Sequence, residues 1–256
     1  MATSEKDLKK RNIDLLFHHV TRGKELLVIR GLGAGLSPEQ HRLSHWQTQR
    51  LLATYPDLAR NPRYGLAVEF FLEDLYGPKD FSKRDYGAAR LTTIMAKVLP
   101  AHSIHTAALA MELNALSHEL DHHLLRVLIE ELGMQDHITA EAYAEAYRRC
   151  DNYNKRKRQI ELIRQIGDDI EITVARHSRS IITALRLTRM PSHLVGLGEL
   201  HDFLERGFIA FRQMEGADVF LNTIVARETQ LLDRIYAGHP QPFDLDLAAA
   251  NPRDDA

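Results

Sequence analysis

Apolar residues recur at helical rather than strand spacing along most of this chain. Leu8, Leu15, Leu16 and Val20 form a rough stripe behind Ser4 and Asp7, which are spaced as a capping box, so a first helix is predicted to about Arg22. Ser37, Pro38 and Gln40 supply an N-cap, a proline at the first helical position and a reciprocal cap, so a second helix starts there and ends near Tyr55-Pro56. Asn61-Pro62 opens a third on Tyr64, Ala67, Val68, Phe71 and Leu75, and Gly77-Pro78 stops it. Ser82 with Asp85 caps a fourth, which Pro100 closes.

From Ala101 to Leu132 there is neither proline nor glycine, and Gly133 follows. A long helix is expected over that span. It has two apolar seams, Leu109 to Val127 on one side and Met111, Ala115, His118, His122, Leu125 and Ile129 on the other, so both histidines occupy core-type positions. Thr139 to Cys150 reads as a further helix, with a kink or break across Asp151 to Lys157 where the apolar phase drifts. Ser192 and Gly216 precede the last two helical segments, which end at Gly238.

Two runs, Glu25 to Arg30 and Ile170 to Val174, are strand-like but too short to build a sheet. The expectation is therefore an all-α fold, a multi-helix bundle of about eight helices with a long central helix near 101–132. Residues 1–238 form one domain, and residues 239–256 read as a disordered tail, polar and proline-rich.

Composition narrows the function. Hydrophobic residues make up 44% and charged residues 27% of the 256 positions, enough for a packed core. A net charge of -2 supplies no positive field for phosphates or anionic lipid, so nucleic acid is disfavoured as a partner. The dense basic run Lys155, Arg156, Lys157 and Arg158 reads as a solvated helix face. Cys150 is the only cysteine, which excludes an internal disulfide and fits a cytoplasmic protein. Charged residues fill the amino terminus where an export signal needs an apolar core, and no window approaches the roughly 20 apolar residues of a membrane span.

Gly31, Gly33 and Gly35 lie between a strand-like run and a capped helix, but their spacing is wrong for a dinucleotide fingerprint. His118-Glu119-Leu120-Asp121-His122 matches the H-E-x-x-H pattern of zinc-dependent hydrolases. On a helix His118 and His122 project from one side a turn apart, where one metal ion can bridge them, and Glu119 could serve as general base. Asp121 departs from the zincin pattern, and no sheet is predicted to back the helix. Only one E-x-x-H motif is present, where a di-iron bundle needs two. Glu228 falls near the centre of the last helix's apolar face and requires an arginine such as Arg90 or Arg186, a metal or a hydrogen-bonding network beside it.

The segment from Phe70 to Asp85, Phe-Phe-Leu-Glu-Asp-Leu-Tyr-Gly-Pro-Lys-Asp-Phe-Ser-Lys-Arg-Asp, resembles one found in an uncharacterised family of bacterial proteins. Phe203 to Phe208, with Phe211, Met214, Gly216, Ala217, Arg227 and Glu228, is similar to the same family. The resemblance covers most of the chain loosely. It implies a bacterial, helical protein and carries over no catalytic residue. Within the first segment Tyr76, Asp80, Arg84 and Asp85 are candidate pocket residues, and equally a capping and ion-pair network.

The function expected is that of a cytosolic helical protein binding a protein partner or small molecule, with a homodimer open. The rival is a metal-dependent hydrolase or oxygenase using zinc or iron on His118 and His122, with Glu119 as base and Glu228 as third ligand.

Overall fold

The computed structural model describes residues 5–30, 35–134 and 136–247. Among these there is no strand, and the helices are α1 (Glu5–Arg30), α2 (Pro38–Thr54), α3 (Pro56–Arg60), α4 (Gly65–Phe70), α5 (Ser82–Val98), α6 (Ala101–Arg126), α7 (Ala140–Cys150), α8 (Tyr153–Leu194), α9 (Gly198–Gln213) and α10 (Asp218–Tyr236). The fold is all-α, as the apolar spacing predicts. The capping box at α2 is made in full: Gln40 N donates to Ser37 Oγ at 3.2 Å and Ser37 N to Gln40 Oε1 at 2.9 Å.

Both strand-like runs are helical. Glu25 to Arg30 completes α1, and Ile170 to Val174 lies within α8, because neither run has neighbouring strands to pair with. Gly31 and Gly33 lie outside the described residues.

The long helix expected over 101–132 is present as α6 running into a π-helical turn, Val127–Glu131. It forms the axis of the bundle. Asn12 meets the Ala101 carbonyl, His19 approaches Glu112 and Arg22 pairs with Glu119, so α1 runs parallel to α6. Thr106 bonds Asp169, Arg158 bonds Glu112 and Gln159 bonds Ser117, so α8 runs antiparallel to it. The first seam of α6 is core, with Leu116, Leu120, Leu124 and Val127 all buried. The second is core only in part: Ala115 is buried and His118 is 15% exposed against Asp85, but His122 and Ile129 are exposed.

At 42 residues α8 is longer still, with a non-helical His177 (φ -129°, ψ 17°) that bends it. Its first half is packed between α6 and α10, where Leu162 is fully buried. Its second half is covered mainly by α9, and Leu187, Met190 and Leu194 face outward. The break predicted before it is Asp151, a left-handed residue (φ 46°) between α7 and α8.

A second π turn, Phe71–Leu75, ends α4. A Cβ on Gly77 would lie 2.6 Å from the Glu73 carbonyl oxygen, so the chain can leave this wide turn only through glycine. Beyond α10, Phe243 packs edge-on against Trp46 (5.4 Å between ring centroids) and against Tyr143 (6.0 Å). The first part of the predicted tail thus lies on the bundle, while residues 248–256 fall outside the described range.

Candidate functional site: a buried polar chamber

The inward stripe of α2 is Leu43, Gln47, Leu51 and Thr54, with Arg50 beside it. A bundle helix normally fills such positions with aliphatic residues, so Gln47 and Arg50 bring polarity into the core. Four other elements do the same around one cavity. Tyr143 and Tyr147 come from successive turns of α7, Arg156 and Gln159 from the first turns of α8, Glu228 from α10 and Asp121 from α6. Tyr55 and Tyr76 complete the polar lining, and Phe71, Ile160, Phe220 and Ile224 provide apolar wall. The cavity measures about 70 Å³, room for a small organic molecule or a few waters.

Glu228 is held on one oxygen by Arg50 and by the Tyr55 hydroxyl, which donates at 2.8 Å. The carboxylate expected to need an arginine has one, but from α2 rather than Arg90 or Arg186. Asp121 accepts from Gln47 Nε2 at 2.9 Å. Burial first, and then the nearby Glu228 charge, push the Tyr55 and Tyr76 phenols above their ordinary range. Tyr143 moves the same way, through burial and its neighbour Tyr147. All three are therefore neutral hydrogen-bond donors at physiological pH.

Arg156 differs from these satisfied groups. Only 5% of it is exposed, its guanidinium lies over the Tyr147 ring at 4.3 Å, and its one protein acceptor is the Leu120 carbonyl at 3.4 Å. Its Nε is buried without a hydrogen-bond partner, and no carboxylate of the described residues forms an ion pair with it. Burial opposes its charge, but the Tyr147 and Tyr143 oxygens and Asp121 together raise its pKa. A guanidinium carries five donors, and leaving buried charged donors unpaired costs several kcal/mol by the usual order of magnitude.

The sequence-derived candidates scatter. His118 sits 15% exposed with Nε2 3.2 Å from Asp85, whereas His122 is exposed on the next turn. Glu119 pairs with Arg22 and Lys155, and Glu228 lies in the chamber. Among the described residues, these side chains do not converge as metal ligands. Tyr76 does line the chamber. Its companions instead build a corner: Asp80 caps Ser82 N at 2.9 Å, and Arg84 bonds Asp85 at 2.9 Å between the Phe81 and Phe203 rings. Burial works against the Asp85 carboxylate, but hydrogen bonds and charge from His118 and Arg84 hold it below the usual carboxylate range.

The basic run does not form a continuous surface. Lys155 pairs with Glu119, Arg158 with Glu112, Lys157 is exposed and Arg156 points inward. The signal for Arg156 was present in the sequence, since it stands four residues from both Asn152 and Ile160, which are buried.

Fold and chamber together define an all-helical protein with a charged, aromatic-walled cavity at its centre. The chain belongs to the family described as Domain of unknown function (DUF8198), which matches residues 32–242. Nothing among curated proteins or solved structures matches it. No helix among the described residues is long and apolar enough to cross a membrane.

Proposed function

We propose that this protein binds a small organic monocarboxylate with an apolar or aromatic body inside the chamber, with Arg156 as the anchor. The observation that carries this is the buried guanidinium without a carboxylate partner, facing a cavity. A carboxylate fits it with two parallel hydrogen bonds, and the Tyr143 and Tyr147 rings and Ile160 suit the attached apolar body.

Charge selects among anions. Arg50 and Arg156 contribute two positive charges to the wall, and Glu228 and Asp121 two negative ones, so a phosphate dianion would meet more repulsion than a monocarboxylate. The wall holds no serine, threonine or cysteine to act as a nucleophile, and Glu228 is already engaged by Arg50 and Tyr55. These features favour binding over nucleophilic catalysis. A cytoplasmic location remains part of this proposal, supported by the single, buried cysteine.

Trp46, the only tryptophan, stacks on Tyr143 with centroids 3.8 Å apart and so reports on the chamber wall. Its fluorescence should change on titration with benzoate, phenylacetate or hexanoate, and not with the corresponding amides. Arg156→Met should remain folded, since an apolar residue of similar length removes a buried charge, and should bind the carboxylates at least tenfold more weakly. Silence across the carboxylates, or equal binding by Arg156→Met, overturns the proposal.

A further inference from the structure

A second constellation lies at the opposite end of α8. The last turn of the helix is Pro191, Ser192, His193 and Leu194, the chain reverses through Gly196 (φ +75°), and α9 begins at Gly198. The His193 imidazole rests on that first residue. A Cβ on Gly198 would lie 2.5 Å from Nδ1 and 2.8 Å from Cε1, so the ring takes this position only above glycine. From there its Nε2 reaches Asp202 Oδ1 at 3.2 Å.

His201 stands beside it, 5% exposed. Its Nε2 lies 2.8 Å from the Leu185 carbonyl oxygen, which can only accept, so Nε2 donates and in the neutral ring Nδ1 presents a lone pair. That Nδ1 is buried with no hydrogen-bond partner, 3.8 Å from Asp202 Oδ1. One ligand atom from each of His193, His201 and Asp202 falls within 4.8 Å of the others. Among the described residues, no other group of three histidine, cysteine or carboxylate side chains converges in this way.

We propose that His193, His201 and Asp202 form a site for a zinc-type divalent cation, with an open coordination position toward solvent. Ligands about 2.0–2.1 Å from a tetrahedral zinc ion lie roughly 3.3 Å from one another, close to the spacing of the Asp202 oxygen from the two imidazoles. A backbone carbonyl accepting from the far nitrogen of a ligating histidine is the outer-sphere arrangement that fixes its tautomer, and His201 has it. Two imidazoles and one carboxylate suit zinc, cobalt or nickel far better than magnesium or calcium. His193 and Asp202 have side chains 48% and 33% exposed, so the ion has a route in and its fourth position faces water. The site is independent of the chamber and of His118 and His122.

The test uses the full chain without an affinity tag, stripped with chelator and titrated with Zn²⁺ by calorimetry and with Co²⁺ by visible absorption. One equivalent should bind, and cobalt should show the intense bands of a tetrahedral or five-coordinate ion. His193→Ala and Asp202→Asn alter partly exposed side chains and should stay folded by circular dichroism, each weakening Zn²⁺ binding at least tenfold. The double variant His118→Ala, His122→Ala should bind as the wild type does. No binding by the wild type, undiminished binding by both single variants, or loss of binding in the double variant would overturn the site.

Discussion

Arg227, wholly buried on α10, grips Asp57 of the short helix α3 with two parallel hydrogen bonds of 2.8 and 2.7 Å, and donates a third to the Thr54 carbonyl at 2.8 Å. Its guanidinium ties the end of α2 and the start of α3 to the last helix, closing the chamber wall on which Tyr55 and Glu228 meet. Asp57→Asn leaves that buried guanidinium short of its carboxylate. Full burial of both partners would make the loss about 3–5 kcal/mol, but Asp57 is 36% exposed. The expected cost is therefore roughly 2–3 kcal/mol, read as a lower urea midpoint at unchanged slope.

Acid should unfold the protein through the same contacts. The Arg227 hydrogen bonds and charge lower the Asp57 pKa, and His118 and Arg84 lower that of Asp85 against the opposing effect of burial. A carboxylate depressed in the fold binds fewer protons there than in the unfolded chain. Its stabilisation is complete above the unfolded value of about 4 and is lost as pH falls through the lower, folded one. His19, lowered by burial, acts with the same sign beginning near pH 6.5. Urea midpoints measured from pH 7 to 3 should fall throughout, most steeply below about 4, and Asp57→Asn should flatten the acidic limb. A midpoint rising toward acid would contradict these assignments.

Alkaline titration probes the chamber directly. Tyr55, Tyr76 and Tyr143 in the chamber wall are pushed above the ordinary phenol value of about 10, and of the other five tyrosines Tyr153 and Tyr236 move the same way. Phenolate absorbance should therefore rise in two stages, the second coinciding with loss of helical circular dichroism. A single reversible rise near pH 10 for all eight would mean that the chamber is open to water.

Gly167 of α8 packs directly against Leu221 of α10. A Cβ there would lie 2.5 and 2.6 Å from the two methyls of Leu221, a side chain with no exposed surface. Alanine gains roughly 1 kcal/mol of helix propensity over glycine, but overpacking a closed core costs typically 1–3 kcal/mol. Gly167→Ala should thus be neutral to destabilising, while Gly167→Ala with Leu221→Ala should recover part of the packing loss in a double-mutant cycle.

The helices were legible because their signals are local. Ser37 and Gln40 mark the start of α2, Thr139 that of α7, and Gly133 and Gly238 adopt the left-handed conformation expected just beyond helical segments. The polar centres were less legible for two different reasons. Arg156 could have been placed by helical phase, but its three basic neighbours made the run look like a solvated face. His193, His201 and Asp202 converge only because Gly196 reverses the chain and Gly198 leaves room for a ring. That is a property of two backbones meeting, and one helix wheel cannot display it. The H-E-x-x-H match shows the converse: its spacing is right, but the second seam of α6 lacks a covering element at His122.

The length of α8 also sets how the two proposed sites relate to each other. About ten turns separate Arg156 from His193, and the bend at His177 falls between them. Charges that far apart are screened from each other at physiological ionic strength, where the Debye length is about 8 Å. An organic acid and a cation should accordingly load side by side without competing or cooperating, each titration curve superimposing whether the other species is present or withheld.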